Sequence, residues 1–275
     1  MISTLIWLAV LPSALLIYRV LKSDKVESEP PRLIIRVFLL GAASCFPAAL
    51  LETFGETLVT NIVSTQAMYS ALMFLFVVPA AEELVKFLAM CSIRKRPEFN
   101  YTFDGIVYGV AASLGFATLE NLFYVLGEGS YTVAIMRGVL SVPLHCTCGV
   151  FMGYYYGLTQ WYRAHGQKSE ASKSQTLTLL VPIIIHGLYD YSLDVDNAAV
   201  TIAGLVFTVV MLVLAVRRVR LSSSQDTPFG GVPIHQEQVI FPQGAVVADR
   251  PFQKSSDPAA RPYQDNKGQS SKSLY

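Results

Sequence analysis

Charge is scarce in this chain. Asp, Glu, Lys and Arg make up 15% of its 275 residues, against about 25% in an ordinary soluble domain. With 52% hydrophobic residues and a mean hydropathy of +0.43, that deficit excludes a water-soluble globular protein. A net charge of +1 leaves no basic footprint for nucleic acid, so no such partner is expected. Cysteine is also sparse. Cys45, Cys91, Cys146 and Cys148 all lie in or at the edge of apolar segments and read as small buried hydrophobes. Cys146-x-Cys148, beside His145, departs from the usual spacing of structural zinc sites. The start, Met1-Ile-Ser-Thr-Leu-Ile-Trp, lacks the basic region of a secretory signal. Arg19, Lys22 and Lys25 follow the apolar run instead, which favours an uncleaved first span with its N-terminus outside.

What is present is a succession of long apolar stretches separated by short polar joints. The expected fold is all-α: a polytopic helical bundle of about seven spans in the cell membrane, roughly 2–21, 33–51, 66–92, 103–126, 132–161, 177–194 and 198–216. The joints test the count. Arg19, Lys22, Lys25 and Arg32 follow the first span, Arg94-Lys95-Arg96 the third, Arg163, Lys168 and Lys173 the fifth, and Arg217, Arg218 and Arg220 the seventh. The alternate joints, Glu52 to Asn61, Gly127 to Tyr131 and Asp194 to Asn197, hold no Lys or Arg. Basic joints mark the cytoplasmic side, so seven spans run N-out and C-in. Residues 1–220 form the membrane domain, with a motif-bearing core at 66–194. From 221 to 275 the composition turns to Pro, Gly, Gln, Ser and charge, which reads as a disordered cytoplasmic tail. Gln238-Val-Ile-Phe-Pro within it is either a short docking segment or solvated chain.

Several charges sit where a bilayer disfavours them. Glu82, Glu83 and Lys86 interrupt the third span, and each charge at mid-membrane costs ~2.5–3.5 kcal/mol. Lys86 is four residues from Glu82 and three from Glu83, spacings that put the ammonium beside both carboxylates. Pro79, just before them, can kink the span and admit water. Phe116 and Glu120 share a face of the fourth span, whose Gly105, Gly109 and Gly115 keep it slender. His145 precedes a repeat of Gly149, Gly153 and Gly157, a close-packing stripe in the fifth. In the sixth, His186 and Asp190 are four apart, so Asp190 can orient the imidazole. Singly, His145 reads equally as an interhelical hydrogen bond, and His186 also reads as a structural bond to Asp190. Together, at 1.5 Å of rise per residue, Glu82, Glu83, His145 and His186 fall within one central slab. A carboxylate to take a proton from water, with imidazoles to hold a metal or an oxyanion, is what hydrolysis requires.

Glu82-Glu83-x-x-Lys86, Phe116-x-x-x-Glu120-Asn121, His145 and His186-x-x-x-Asp190, in that order inside the expected spans, resemble the PrsW family of intramembrane proteases, which is related to the CAAX prenyl endopeptidases and CAAX-like immunity proteases. The resemblance covers spans three to six. It implies a membrane-embedded endopeptidase in which Glu82 or Glu83 activates water and His145 and His186 bind metal or donate to an oxyanion. Lys86 would balance the glutamates, Asp190 would support His186, and Phe116 and Asn121 would complete the setting. With Glu120 as a third ligand beside His145 and His186, the set suits Zn2+; without metal the enzyme would be a glutamate-dependent protease. The implied partner is a membrane-anchored protein of the anti-sigma-factor kind, cut near the outer face. Two other readings compete: a non-catalytic membrane scaffold of the same fold, and a proton- or ion-coupled transporter. The transporter reading is disfavoured by the lack of an internal repeat.

Overall fold

A computed structural model describes residues 2–230. The described residues form helices joined by short turns: α1 (Ile2–Leu21), α2 (Pro31–Ala43), α3 (Cys45–Ile62), α4 (Gln66–Leu72), a π-helical turn (Met73–Val77), α5 (Val78–Met90), α6 (Thr102–Glu128), α7 (Tyr131–Val139), α8 (Ser141–Ala164), α9 (Lys168–Asp194) and α10 (Ala198–Ser224). Among the described residues, six stretches are long and apolar enough to cross a membrane: α1, α2–α3 together, α6, α7–α8 together, α9 and α10. The remaining expected span, 66–92, is the α4–π–α5 rod, whose π turn divides it into shorter helices. The protein is a multi-pass membrane helical bundle.

Prolines explain where these rods break. Proline has no N–H to return to the carbonyl four residues back. Pro47 leaves Ala43 without that partner, and the chain breaks at Ser44. Pro79 does the same to Leu75, and the π turn accommodates it. Pro143 does the same to Val139, and the backbone breaks at Leu140. The expected single span 132–161 is therefore two helices, the nine-residue α7 and α8.

α6 is the axis of the bundle. In it, 78% of the apolar window is buried, against 17% for α10, which places α10 at the lipid boundary. Its residues Phe103, Ile106, Val107, Tyr108, Val110 and Leu114 lie in the main core with Met90, Leu144, Met152 and Ile185. Glycine lets α8 approach α6. A Cβ on Gly109 would run into the Gly149 carbonyl, and one on Gly153 into the Gly105 carbonyl. Gly105 and Gly109 of α6 thus pack against the α8 glycines, whereas Gly115 meets the Phe38 carbonyl of α2. Large apolar side chains on the outside of α10, such as Val206, Val209 and Val213, are exposed, as a lipid-facing surface demands.

At the end of the bundle that carries the basic joints, the chain beyond α10 is tied down. Asp226 accepts from the Phe103 N–H (2.8 Å) and the Thr102 hydroxyl (3.0 Å), capping α6. Phe229 N–H donates to Asn100 O (2.8 Å). The described residues therefore run through 221–230, past the composition change at 221, in contact with the bundle. Residues 231–275, including Gln238-Val-Ile-Phe-Pro, lie outside the described residues.

Candidate active site

Helix α5 delivers three charges in one turn and a half. The ammonium of Lys86, with no exposed surface, donates to Glu82 Oε2 (2.8 Å) and Glu83 Oε1 (2.8 Å). The i,i+4 and i,i+3 spacings make both contacts possible within one helix. Lys86 also lies 3.0 Å from His145 Nδ1 and 4.1 Å from the centre of the Phe116 ring. Phe116 is thus a wall of the site and a cation–π partner.

α9 completes the centre from the opposite side. His186 Nδ1 is 2.9 Å from Glu83 Oε1, and His186 Nε2 is 3.3 Å from Asp190 Oδ2 and 3.8 Å from Glu82 Oε2. The His145 and His186 rings meet edge to face at 5.1 Å. The approach of α9 to the π turn depends on Gly187, because a Cβ there would lie 2.7 Å from the Leu75 carbonyl oxygen. Leu75 is the residue whose helical partner Pro79 cannot supply. The π turn and Gly187 thus bring the His186 turn of α9 against α5.

The second oxygen of Glu83 is buried without a hydrogen-bond partner. Glu82, Glu83, His145 and His186 each offer a ligand atom within 4.8 Å of the others, and all four are buried. Carboxylates and imidazoles are the donor types zinc takes in catalytic sites. An ammonium already rests against three of the four. The site therefore fits a cation by chemistry and by its unspent donor. Glu120 lies one contact further out. Its Oε2 is 3.0 Å from His145 Nε2 and 2.9 Å from an Arg137 guanidinium nitrogen. Asn121 does not reach the centre; it donates to Ala9 O (3.0 Å) and accepts from Arg137 Nε (3.2 Å), fastening α6 to α1 and α7. Cys146 and Cys148 are buried, free and outside the group of ligand atoms.

A cavity of about 750 Å³ opens onto this centre. Glu82, Glu120, His145, His186 and Asp190 line it, and Glu83 does not. Two further lining residues, Glu52 and Arg137, were not singled out in the sequence as site residues. Glu52 was placed in an outer joint. Arg137 had a signal, being the one Lys or Arg in the apolar run from 132 to 161.

Known proteins resemble this chain over most of its length. The family described as PrsW family intramembrane metalloprotease matches residues 29–216. Protease PrsW of Bacillus subtilis (strain 168) is 38% identical over 180 residues, covering 66% of this chain and 78% of that protein. Protease PrsW of Halalkalibacterium halodurans is 32% identical over 225 residues, covering 81% of this chain and 99% of the relative. Protease PrsW of Geobacillus kaustophilus is 32% identical over 227 residues, covering 82% and 94%. No solved structure matches. This chain belongs to the PrsW family of intramembrane metalloproteases.

Proposed function

We propose that this chain is an intramembrane endopeptidase acting on a membrane-anchored protein, with Glu82 as general base. The assignment is carried by the difference between the two glutamates. Glu82 lines the cavity together with His145 and His186, while Glu83 is fully buried behind them and bound by Lys86 and His186. A base must reach the proton it removes, and Glu82 has that access.

In this reading, water from the cavity attacks the scissile carbonyl carbon as Glu82 takes one of its protons. The tetrahedral intermediate then collapses. The C–N bond breaks, and Glu82 returns the proton to the leaving amine. His186, held by Glu83 and Asp190, is placed to stabilise the oxygen that gains charge. Lys86 offsets one of the two negative charges on Glu82 and Glu83, and Phe116 screens it from the rest of the cavity.

The donor set suits Zn2+, with Glu83, His145 and His186 as the three protein ligands of an open catalytic site. Bound there, zinc would polarise the carbonyl and acidify water. Glu120 is the weaker candidate ligand, because its carboxylate is engaged by Arg137 and His145 Nε2. A single-span anti-sigma factor is the substrate to which the family resemblance points.

The test is co-expression with single-span candidate substrates, comparing Glu82→Gln, Glu83→Gln and His186→Ala with wild type at equal membrane abundance. Glu82→Gln should lower cleavage by about a hundred- to ten-thousand-fold while folded protein still accumulates. Glu83→Gln should lower both cleavage and thermal stability. Cleavage by Glu82→Gln at the wild-type rate would overturn the assignment. Zinc lost on substituting His145 or His186 would support the ligand set, and a metal-free wild type that still cleaves would remove it.

A further inference from the structure

Arg137 is the one Lys or Arg in the apolar run from 132 to 161. It sits in α7, just past the Gly129–Ser130 turn, at the end of the bundle where the joints carry no Lys or Arg. An ionisable side chain in such a segment is costly and calls for a function. Its surroundings supply one. The guanidinium spans two consecutive residues of α6: a terminal nitrogen lies 2.9 Å from Glu120 Oε2, and Nε donates to Asn121 Oδ1 at 3.2 Å. It lies 3.9 Å above the Tyr124 ring, one turn further along the same helix. The group is thus held on three sides by α6, and its side chain is 20% exposed, at the cavity wall.

The contact continues inward. Glu120 Oε2, the oxygen that Arg137 holds, is 3.0 Å from His145 Nε2. On the other side of the ring, Nδ1 faces the Lys86 ammonium at 3.0 Å. An ammonium offers only donors, so Nδ1 must accept there, and the ring proton belongs on Nε2, donated to Glu120. The two contacts agree on one tautomer, and the outer one depends on Glu120 staying where Arg137 puts it.

We propose that Arg137 is a positioning residue of the active site: it anchors Glu120, and through Glu120 fixes His145 with its proton on Nε2 and its Nδ1 lone pair turned toward Lys86, Glu82 and Glu83. Second contacts of this kind set the tautomer and direction of an imidazole, and their loss typically costs about 10–100-fold in activity or affinity. The inference rests on His145 belonging to the peptidase site, but its first readout does not require activity.

The experiment uses the full chain carrying His165→Gln and His235→Gln, so that of the four histidines only His145 and His186 report in 15N spectra of ring-labelled protein. With Arg137 present, the His145 resonances should show a protonated Nε2 and an unprotonated Nδ1. In Arg137→Met they should move toward the other tautomer or an exchanging mixture, with the His186 resonances little changed. In parallel, kcat on a cleaved substrate should fall about 10–100-fold with KM within about twofold. Added methylguanidinium should restore part of the rate to Arg137→Ala, the rescue a merely structural arginine would not give. If Arg137→Met does not accumulate, Arg137→Lys replaces it. A lysine keeps the charge but not the fork across Glu120 and Asn121, so it should retain the tautomer incompletely. An unchanged His145 spectrum in both variants overturns the proposal. So does a shifted spectrum with unchanged kcat. Loss of the peptidase reading would instead appear as a wild type that cleaves nothing while the tautomer still depends on Arg137.

Discussion

Gly187→Ala isolates the joint between α9 and the π turn. The added Cβ would stand 2.7 Å from the Leu75 carbonyl oxygen and 3.1 Å from the Leu75 carbonyl carbon. Ordinary contact begins at 3.4 Å, so the helices must part by about 0.7 Å. Leu75 O is backbone and cannot swing aside as a side chain could. His186 is the neighbouring residue, and its Nδ1 contact to Glu83 is 2.9 Å. Transmitted along that contact, the displacement would stretch it to at most about 3.6 Å, at which a hydrogen bond is lost. Overpacking costs ~1–3 kcal/mol, and alanine recovers roughly 1 kcal/mol over glycine inside a helix. The net stability change should therefore be small. Catalysis should respond far more, because a misplacement near 1 Å can cost about a hundredfold. We expect cleavage of a single-span substrate to fall about 10–100-fold at equal membrane abundance, with little change in melting temperature. Gly127→Ala is the control: nothing lies within 4 Å of its Cβ position, so it should cleave like wild type. A Gly187→Ala enzyme within twofold of wild type would refute the link between this close approach and the His186–Glu83 contact.

Other consequences can be measured without a substrate. Lys86→Met strands two buried carboxylates, and breaking a buried pair costs ~3–5 kcal/mol; thermal unfolding in detergent should show a large loss, and a stability equal to wild type would contradict the pairing. Asp226→Ala removes the acceptor for Phe103 N–H and the Thr102 hydroxyl, which should cost ~0.5–2 kcal/mol by the same assay without altering His145 or His186. Asp24, at the end of the bundle bearing the basic joints, is pushed up from 3.8 to about 6 by burial and then by the neighbouring Asp226. A raised carboxylate is harder to ionise folded than unfolded, so its contribution is present below the unfolded value and lost as pH rises through the folded one. Asp24→Asn should therefore raise the melting temperature near neutral pH and leave it unchanged below about pH 4, the window set by those two values; an equal effect at both pH values would exclude ionisation of Asp24 as the cause.

Legibility in the sequence followed the range of the interaction. Lys86 with Glu82 and Glu83 is a contact within one helix, so spacing alone gave it. His186 with Asp190 was readable for the same reason. The glycines of α6 and α8 announced close packing, but nothing local says that Gly109 meets Gly149 and not a glycine elsewhere. Breaks were harder. Pro47, Pro79 and Pro143 each interrupt a rod, yet Pro12 in α1 and Pro182 in α9 sit inside continuous helices. A proline removes one hydrogen bond in every case, and tertiary packing decides whether the helix then breaks. The halving of the span at 132–161 could not be read for that reason, and it concealed Arg137, whose partners lie on α6 and are distant in the chain. Nor could spacing choose between Glu82 and Glu83, because adjacent residues on a helix point about 100° apart and only the placement of α8 and α9 decides which one meets the cavity.

Pairing also explains how such a site can exist inside a bilayer. Glu82, Glu83, Glu120 and Asp190 bring four negative charges, and Lys86 and Arg137 two positive ones. Inserted singly, six charges at ~2.5–3.5 kcal/mol each would cost roughly 15–21 kcal/mol, more than the ~5–15 kcal/mol that holds a typical fold together. The groups cannot therefore be assembled one at a time. The Lys86 contacts form as soon as α5 is a helix, so that segment enters partly neutralised. Glu120 on α6 has no cation on its own helix within reach, and Arg137 on the next helix is the first the chain supplies. α6 and α7, joined by the Gly129–Ser130 turn, thus form a second neutralised unit. What remains among these six groups is two net negative charges, shared by the carboxylates around His145 and His186. One divalent cation would cancel them. A centre left with that residual charge by its own permanent ion pairs is one whose completion depends on what it binds, and that is the property a hydrolytic site needs.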